Sequence, residues 1–262
     1  MVKGPPDLQK LIDLVARLRA PDGCPWDREQ KLPDTRAYLL EEAHEAAAAL
    51  DAGDARELAG ELGDLLFQIA FIGRLGEESG AFTLAGAIET VHRKMVERHP
   101  HVFAGETLAD SEAVRQAWER RKLSREPGRA SLLAGVPESL PALLAAYRLT
   151  QKAAGVGFDW DRPAEVLDQV AEELGELRRE LEPGGGGPDA VRAEMGDLLF
   201  TVANLARKLG VDPEAALAGT NRKFRRRFGR IEEELATRGK TPAEATLAEM
   251  DEIWQAAKRG GE

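Results

Sequence analysis

One segment recurs almost unchanged in this chain. Residues 61–71 read ELGDLLFQIAF and residues 194–204 read EMGDLLFTVAN, with seven of eleven positions identical. Four further landmarks recur in the same order, at offsets of about 130 residues. GCPWD (23–27) pairs with GFDWD (157–161), and YLLEEAHEAAAAL (38–50) with QVAEELGELRREL (169–181). HRKMVER (92–98) pairs with NRKFRRR (221–227), and AWERRK (117–122) with IWQAAK (253–258). A repeat of this length constrains the fold more than any local pattern does, because both copies must fold alike. Two homologous domains are therefore expected at 1–123 and 136–262, joined by a linker at 124–135 that contains SREPG.

Both copies read as helix. Ala, Leu, Glu and Arg dominate while β-branched residues are sparse, and no stretch alternates as a strand would. The expected architecture is all-α, two tandem helical bundles. Within each copy a turn separates two acidic helices: DAGD (51–54) in the first and PGGGGP (183–188) in the second.

Charge and composition exclude several function classes. A formal net charge of −10 argues against general nucleic-acid binding, which needs a basic footprint. The first 20 residues hold no signal-peptide or membrane-length apolar run; Leu8, Leu11, Ile12, Val15 and Leu18 follow helical spacing instead. The single cysteine, Cys24, can form neither an internal disulfide nor a cysteine-rich metal site. These features point to the cytoplasm, without a membrane partner.

The acids carry the chemistry. Each first helix bears Glu-Glu-x-x-Glu: Glu41, Glu42 and Glu45, then Glu172, Glu173 and Glu176. Each second helix bears Glu-x-x-Asp: Glu61 with Asp64, then Glu194 with Asp197. Residues three or four apart share a helix face, and a short turn makes the two helices antiparallel neighbours. Facing carboxylates repel unless a cation joins them, and oxygen ligands without cysteine or paired histidine favour Mg²⁺, with Mn²⁺ as a substitute. A di-iron bundle would need Glu-x-x-His on two helices. Glu41-x-x-His44 fits that, but the second copy has Gly175 at the histidine position.

Helical projection of 194–205 places Glu194, Asp197, Thr201 and Asn204 on one stripe, read as the wall of a pocket. Gly63 and Gly196 sit inside these helices at a cost of about 1 kcal/mol each relative to alanine, so close backbone approach is expected there. Lys223, Arg227 and Arg230 form a basic stripe suited to phosphate oxygens. Trp254 and Lys258, one turn apart, add a ring able to stack on a base and another cation.

The acid pattern, with CPWD ahead of it and RHPHVF (98–103) after it, closely resembles the MazG family of the all-α nucleoside triphosphate pyrophosphatase superfamily. The likeness covers nearly the whole chain. The acid motif alone would not separate it from all-α dUTPases or phosphoribosyl-ATP pyrophosphohydrolases. The resemblance implies Mg²⁺-dependent hydrolysis of nucleoside and deoxynucleoside triphosphates to the monophosphate and pyrophosphate, with broad base specificity, by a homodimer. It implies metal ligands Glu173, Glu176, Glu194 and Asp197 in the C-terminal copy and Glu42, Glu45, Glu61 and Asp64 in the N-terminal copy. Lys223, Arg227, Trp254 and Lys258 match its substrate-side positions.

The two copies are not equal. Thr201 and Asn204 correspond to Gln68 and Phe71, and Lys223, Arg227 and Arg230 thin to Lys94, Arg98 and His101. The C-terminal domain is therefore expected to be the main active site. Trp118 and Lys122 preserve the last landmark in the first copy.

Overall fold

The computed structural model describes residues 7–107, 109, 110, 114, 117 and 131–260. Trp118, Lys122 and most of the expected linker lie outside the described residues. Among the described residues every regular element is helical, and none is long and apolar enough to cross a membrane. The chain divides into two compact units, Met1–Ala109 and Asp110–Glu262.

The first unit is built around a hairpin. Helix α1 spans Leu8–Leu18 and the short α2 spans Pro25–Glu29; α3 (Thr35–Ala52) and α4 (Ala55–Ser79) form the hairpin itself. Gly53 ends α3 at φ +71°, a conformation in which a side chain would be strained. Asp54 caps α4 by accepting from the amides of Arg56 and Glu57. Together these two residues make the DAGD turn tight. Helix α1 lays Val15 onto Ala70, Phe71 and Leu75 of α4, with Leu11, Leu32 and Phe67 around them. Helices α5 (Leu84–Arg98) and α6 (Pro100–Phe103) follow. Here Gly76 matters: a Cβ on it would meet the Phe82 ring at 2.6 Å.

The second unit repeats the plan. Helix α7 (Ala142–Ala154) and the hairpin α8 (Pro163–Glu180) with α9 (Pro188–Lys208) form one bundle. Helices α10 (Pro213–Thr237) and α11 (Leu247–Arg259) pack chiefly on each other. Pro163, Pro188 and Pro213 each stand at the start of their helix, where the missing amide proton costs nothing. Ile231, Leu235 and Ile253 form the α10–α11 core, with Phe228, Met250 and Trp254 against it.

The two mid-helix glycines require a correction. A Cβ at Gly63 or Gly196 would meet nothing within 4 Å. Neither glycine answers to a close neighbour among the described residues.

Candidate functional site

Each hairpin brings its acids together. Carboxylate oxygens of Glu42 and Glu45 on α3 and Glu61 on α4 lie within 4.8 Å of one another. In the second unit those of Glu173 on α8 and of Glu194 and Asp197 on α9 do the same. The turns cause this, because each reverses the chain and brings the acids of its two helices level. Asp64 and Glu176 stand outside these tightest groups. Glu176 accepts from Arg179 Nη2 at 2.8 Å, and Glu173 accepts from Gln169 Nε2 at 2.9 Å.

Crowding shows in the proton affinities. Partial desolvation, then repulsion from Glu176, Asp197, Glu173 and Glu180, holds the Glu194 carboxyl above its ordinary value. Glu61 is raised in the same way, first by partial desolvation and then by Glu45, Asp64, Glu42 and Glu57. Asp64 and Glu176 are thus near enough to be felt. Both clusters offer only oxygen donors, the set a hard divalent cation takes.

The polar stripe on α9 does not run as an open wall. Asp197 is exposed, whereas Thr201 and Asn204 are buried, Asn204 to 2% exposure. Asn204 Oδ1 accepts from Arg207 Nε at 2.9 Å. Its counterpart Phe71 is equally buried at 3%, in the α1–α4 core. The position is therefore a core position in both copies, apolar in one and hydrogen-bonded in the other.

On α10, Lys223 is exposed and Arg227 half-buried, its guanidinium 5.5 Å from the Trp254 ring centre. Trp254 also packs against Phe224 at 5.3 Å and joins the Ile231–Leu235–Ile253 core. Arg230 pairs with Glu233 at 2.8 Å and lines a cavity of about 390 Å³ with Glu234, Arg238, Glu252 and Ile253. Lys258 is exposed on α11. In the first copy, Lys94, Arg98 and His101 follow along α5 and α6.

One group went unread in the sequence. Asp159, in the GFDWD landmark, pairs with Arg207 at 2.5 Å and Lys208 at 2.9 Å. Those cations outweigh the desolvation that acts first on this carboxyl, and hold its proton affinity below the usual range. The recurrence of the landmark was the available signal; its partners Arg207 and Lys208 lie at the far end of α9 and share no motif with it.

Comparison with known proteins fits this arrangement. A family model described as the MazG nucleotide pyrophosphohydrolase domain matches the chain twice, at residues 30–103 and 162–231. The nucleoside triphosphate pyrophosphohydrolase of Escherichia coli (strain K12) is 40% identical over 255 residues, covering 96% of this chain and 97% of that protein. The nucleoside triphosphate pyrophosphohydrolase/pyrophosphatase MazG of Thermotoga maritima is 38% identical, covering 97% of this chain and 96% of that one.

Proposed function

The chain belongs to the MazG nucleotide pyrophosphohydrolase family, and from that premise we propose that it hydrolyses nucleoside and deoxynucleoside triphosphates to the monophosphate and pyrophosphate. The reaction is Mg²⁺-dependent, broad in base specificity and cytoplasmic. One observation carries this reading: in each copy, carboxylates from two antiparallel helices converge within 4.8 Å, with oxygen as the sole donor type.

In the C-terminal copy Glu173, Glu176, Glu194 and Asp197 would hold the ion, and in the N-terminal copy Glu42, Glu45, Glu61 and Asp64. A divalent ion held there would supply charge against the phosphates and would make water more acidic. The chain's own cations do the rest. Lys223 and Arg227 bind phosphate oxygens and stabilise charge that builds on the departing pyrophosphate. Arg227 is held against the Trp254 ring, which limits the freedom it must lose on binding. Arg230 and Lys258 extend the basic surface, and Asn204 supports the site from beneath. The C-terminal domain is the main active site, because its basic stripe is the fuller one. The domain bounds 1–123 and 136–262 belong to the same proposal.

The protein acts as a homodimer. Leu62, Leu66 and Ile69 form an exposed stripe on α4, and Met195, Leu199 and Val202 form the same stripe in the same register on α9. An apolar stripe kept in both copies marks a surface that another chain covers. The open backbone at Gly63 and Gly196 adjoins it.

Product analysis tests the reaction. ATP and dTTP incubated with protein and Mg²⁺ should yield monophosphate and pyrophosphate in equal amounts, and chelation should stop turnover. Diphosphate with orthophosphate, or turnover of one nucleotide alone, would contradict the reading.

A further inference from the structure

The two halves of the proposed site stand on different parts of the second unit. The acids lie on the α8–α9 hairpin, which packs with α7. The cations and Trp254 lie on α10 and α11, which pack chiefly on each other. How the basic stripe is presented therefore depends on what fixes the start of α10. Asp212 caps that start by accepting from the Ala215 amide at 3.0 Å, and Pro213 beside it is buried. The next residue reaches further. Glu214 Oε1 accepts from the backbone amide of Leu143 at 3.2 Å, across 71 residues of sequence.

The Leu143 amide needs such a partner. The first amides of a helix have no intrahelical acceptor, and the N-cap side chain normally serves the second or third. Leu143 is the second residue of α7, whose N-cap is Pro141, and Pro141 makes no side-chain cap. A carboxylate from another helix takes its place. Glu214 also sits in the first turn of α10, so one negative charge meets the positive ends of two helix dipoles. The first copy shows that the fold does not require this bridge. Thr83 caps α5 through the Gly86 amide as Asp212 caps α10 through that of Ala215. The offset that aligns these caps, 129 residues, also aligns HRK (92–94) with NRK (221–223). At that offset Glu214 falls on Ala85, and the first turn of α5 has no acid. The bridge thus belongs to the copy with the fuller basic stripe.

Leverage follows from length. Arg227 lies thirteen residues beyond Glu214, roughly 20 Å along α10. A tilt of about 10° at the start of the helix would carry Arg227 roughly 3 Å, beyond hydrogen-bond tolerance. We propose that Glu214 is a positioning residue of the C-terminal site. By bridging the N-termini of α7 and α10 it sets the angle at which Lys223, Arg227 and Arg230 meet phosphate. This rests on the nucleotide reading above.

The test uses the full-length protein with two readouts, ATP turnover in Mg²⁺ and calorimetric binding of inorganic tripolyphosphate. Glu214→Ala should lower kcat/KM for ATP and weaken tripolyphosphate binding, each by at least about tenfold, the scale of a lost hydrogen bond to a charged group. Glu214→Gln, which keeps an acceptor oxygen, should recover most of both. The double variant Glu214→Ala/Pro141→Ser separates aiming from simple capping, because serine gives α7 a cap of its own. It should regain the melting temperature that Glu214→Ala loses while both other losses persist. Recovery of tripolyphosphate affinity in the double variant would overturn the proposal, since capping α7 would then be all that Glu214 does. So would unchanged affinity in Glu214→Ala, or no affinity in the wild type. Absence of turnover in the wild type would instead defeat the enzymatic reading, and the tripolyphosphate affinities would still decide the role of Glu214.

Discussion

Glu194 and Glu61 are the residues in which the site's electrostatics can be measured directly. Each carboxyl is held above its ordinary value of 4.5 by partial desolvation and then by its neighbours. A raised folded-state value means that the folded protein binds the proton more tightly than the unfolded chain. Stability contributed by these groups therefore rises as pH falls through the window just above 4.5, and the repulsive cost is fully present at neutral pH. Without divalent metal, Glu61→Gln/Glu194→Gln should melt at a higher temperature than wild type at pH 7.5. That advantage should shrink as pH approaches 4.5, measured by scanning calorimetry in chelator. An advantage independent of pH would remove carboxylate repulsion as its cause. Asn204 teaches a related lesson: its helical phase is shared with Glu194 and Asp197, but its role depends on what covers it.

Among the elements, α11 offers the cleanest test of local logic. Thr246 and Glu249 form a capping box, and Lys240 Nζ reaches Glu249 at 2.6 Å. Thr246→Ala should cost about 1 kcal/mol in urea unfolding, since the amide of Glu249 loses its acceptor. Glu249 itself is pulled down to about 2, first by Lys240 and then by the Thr246 backbone and hydroxyl. A lowered value reverses the sign: its contribution is complete above the ordinary 4.5 and disappears as pH falls toward 2. The two acid hairpins were legible from sequence because the information is local, a duplicated motif on either side of a turn. The position of Asn204 was not, because helical projection gives phase along α9 and says nothing of the helix packed against it. The Asp159 clamp was illegible for a similar reason, joining a loop to side chains at the far end of α9. Gly63 and Gly196 misled in the opposite direction: a helix glycine suggests a close neighbour, and the structure places none within 4 Å.

At the scale of the whole molecule, the duplication explains more than the fold. Both copies retain the acid cluster and the same exposed apolar stripe, while the basic stripe is fuller in the second. On the proposed reading, metal binding and association would be shared by the two copies and substrate handling would be where they diverge. Leu199→Glu places a charge in the stripe of the second copy and should shift the protein toward monomer in sedimentation, with helical content intact. Leu66→Glu tests the equivalent stripe in the first copy. If both variants sediment as wild type does, the stripes carry no association between chains.

The most direct measurement of the central claim is pyrophosphate release from ATP in Mg²⁺, comparing wild type, Glu194→Gln and Glu61→Gln. Glu194→Gln should lose at least about a hundredfold in kcat, the scale of a removed electrostatic contact. Glu61→Gln should keep most of the activity. Full activity in Glu194→Gln, or equal partial losses in the two variants, would contradict a C-terminal active site built on that acid cluster.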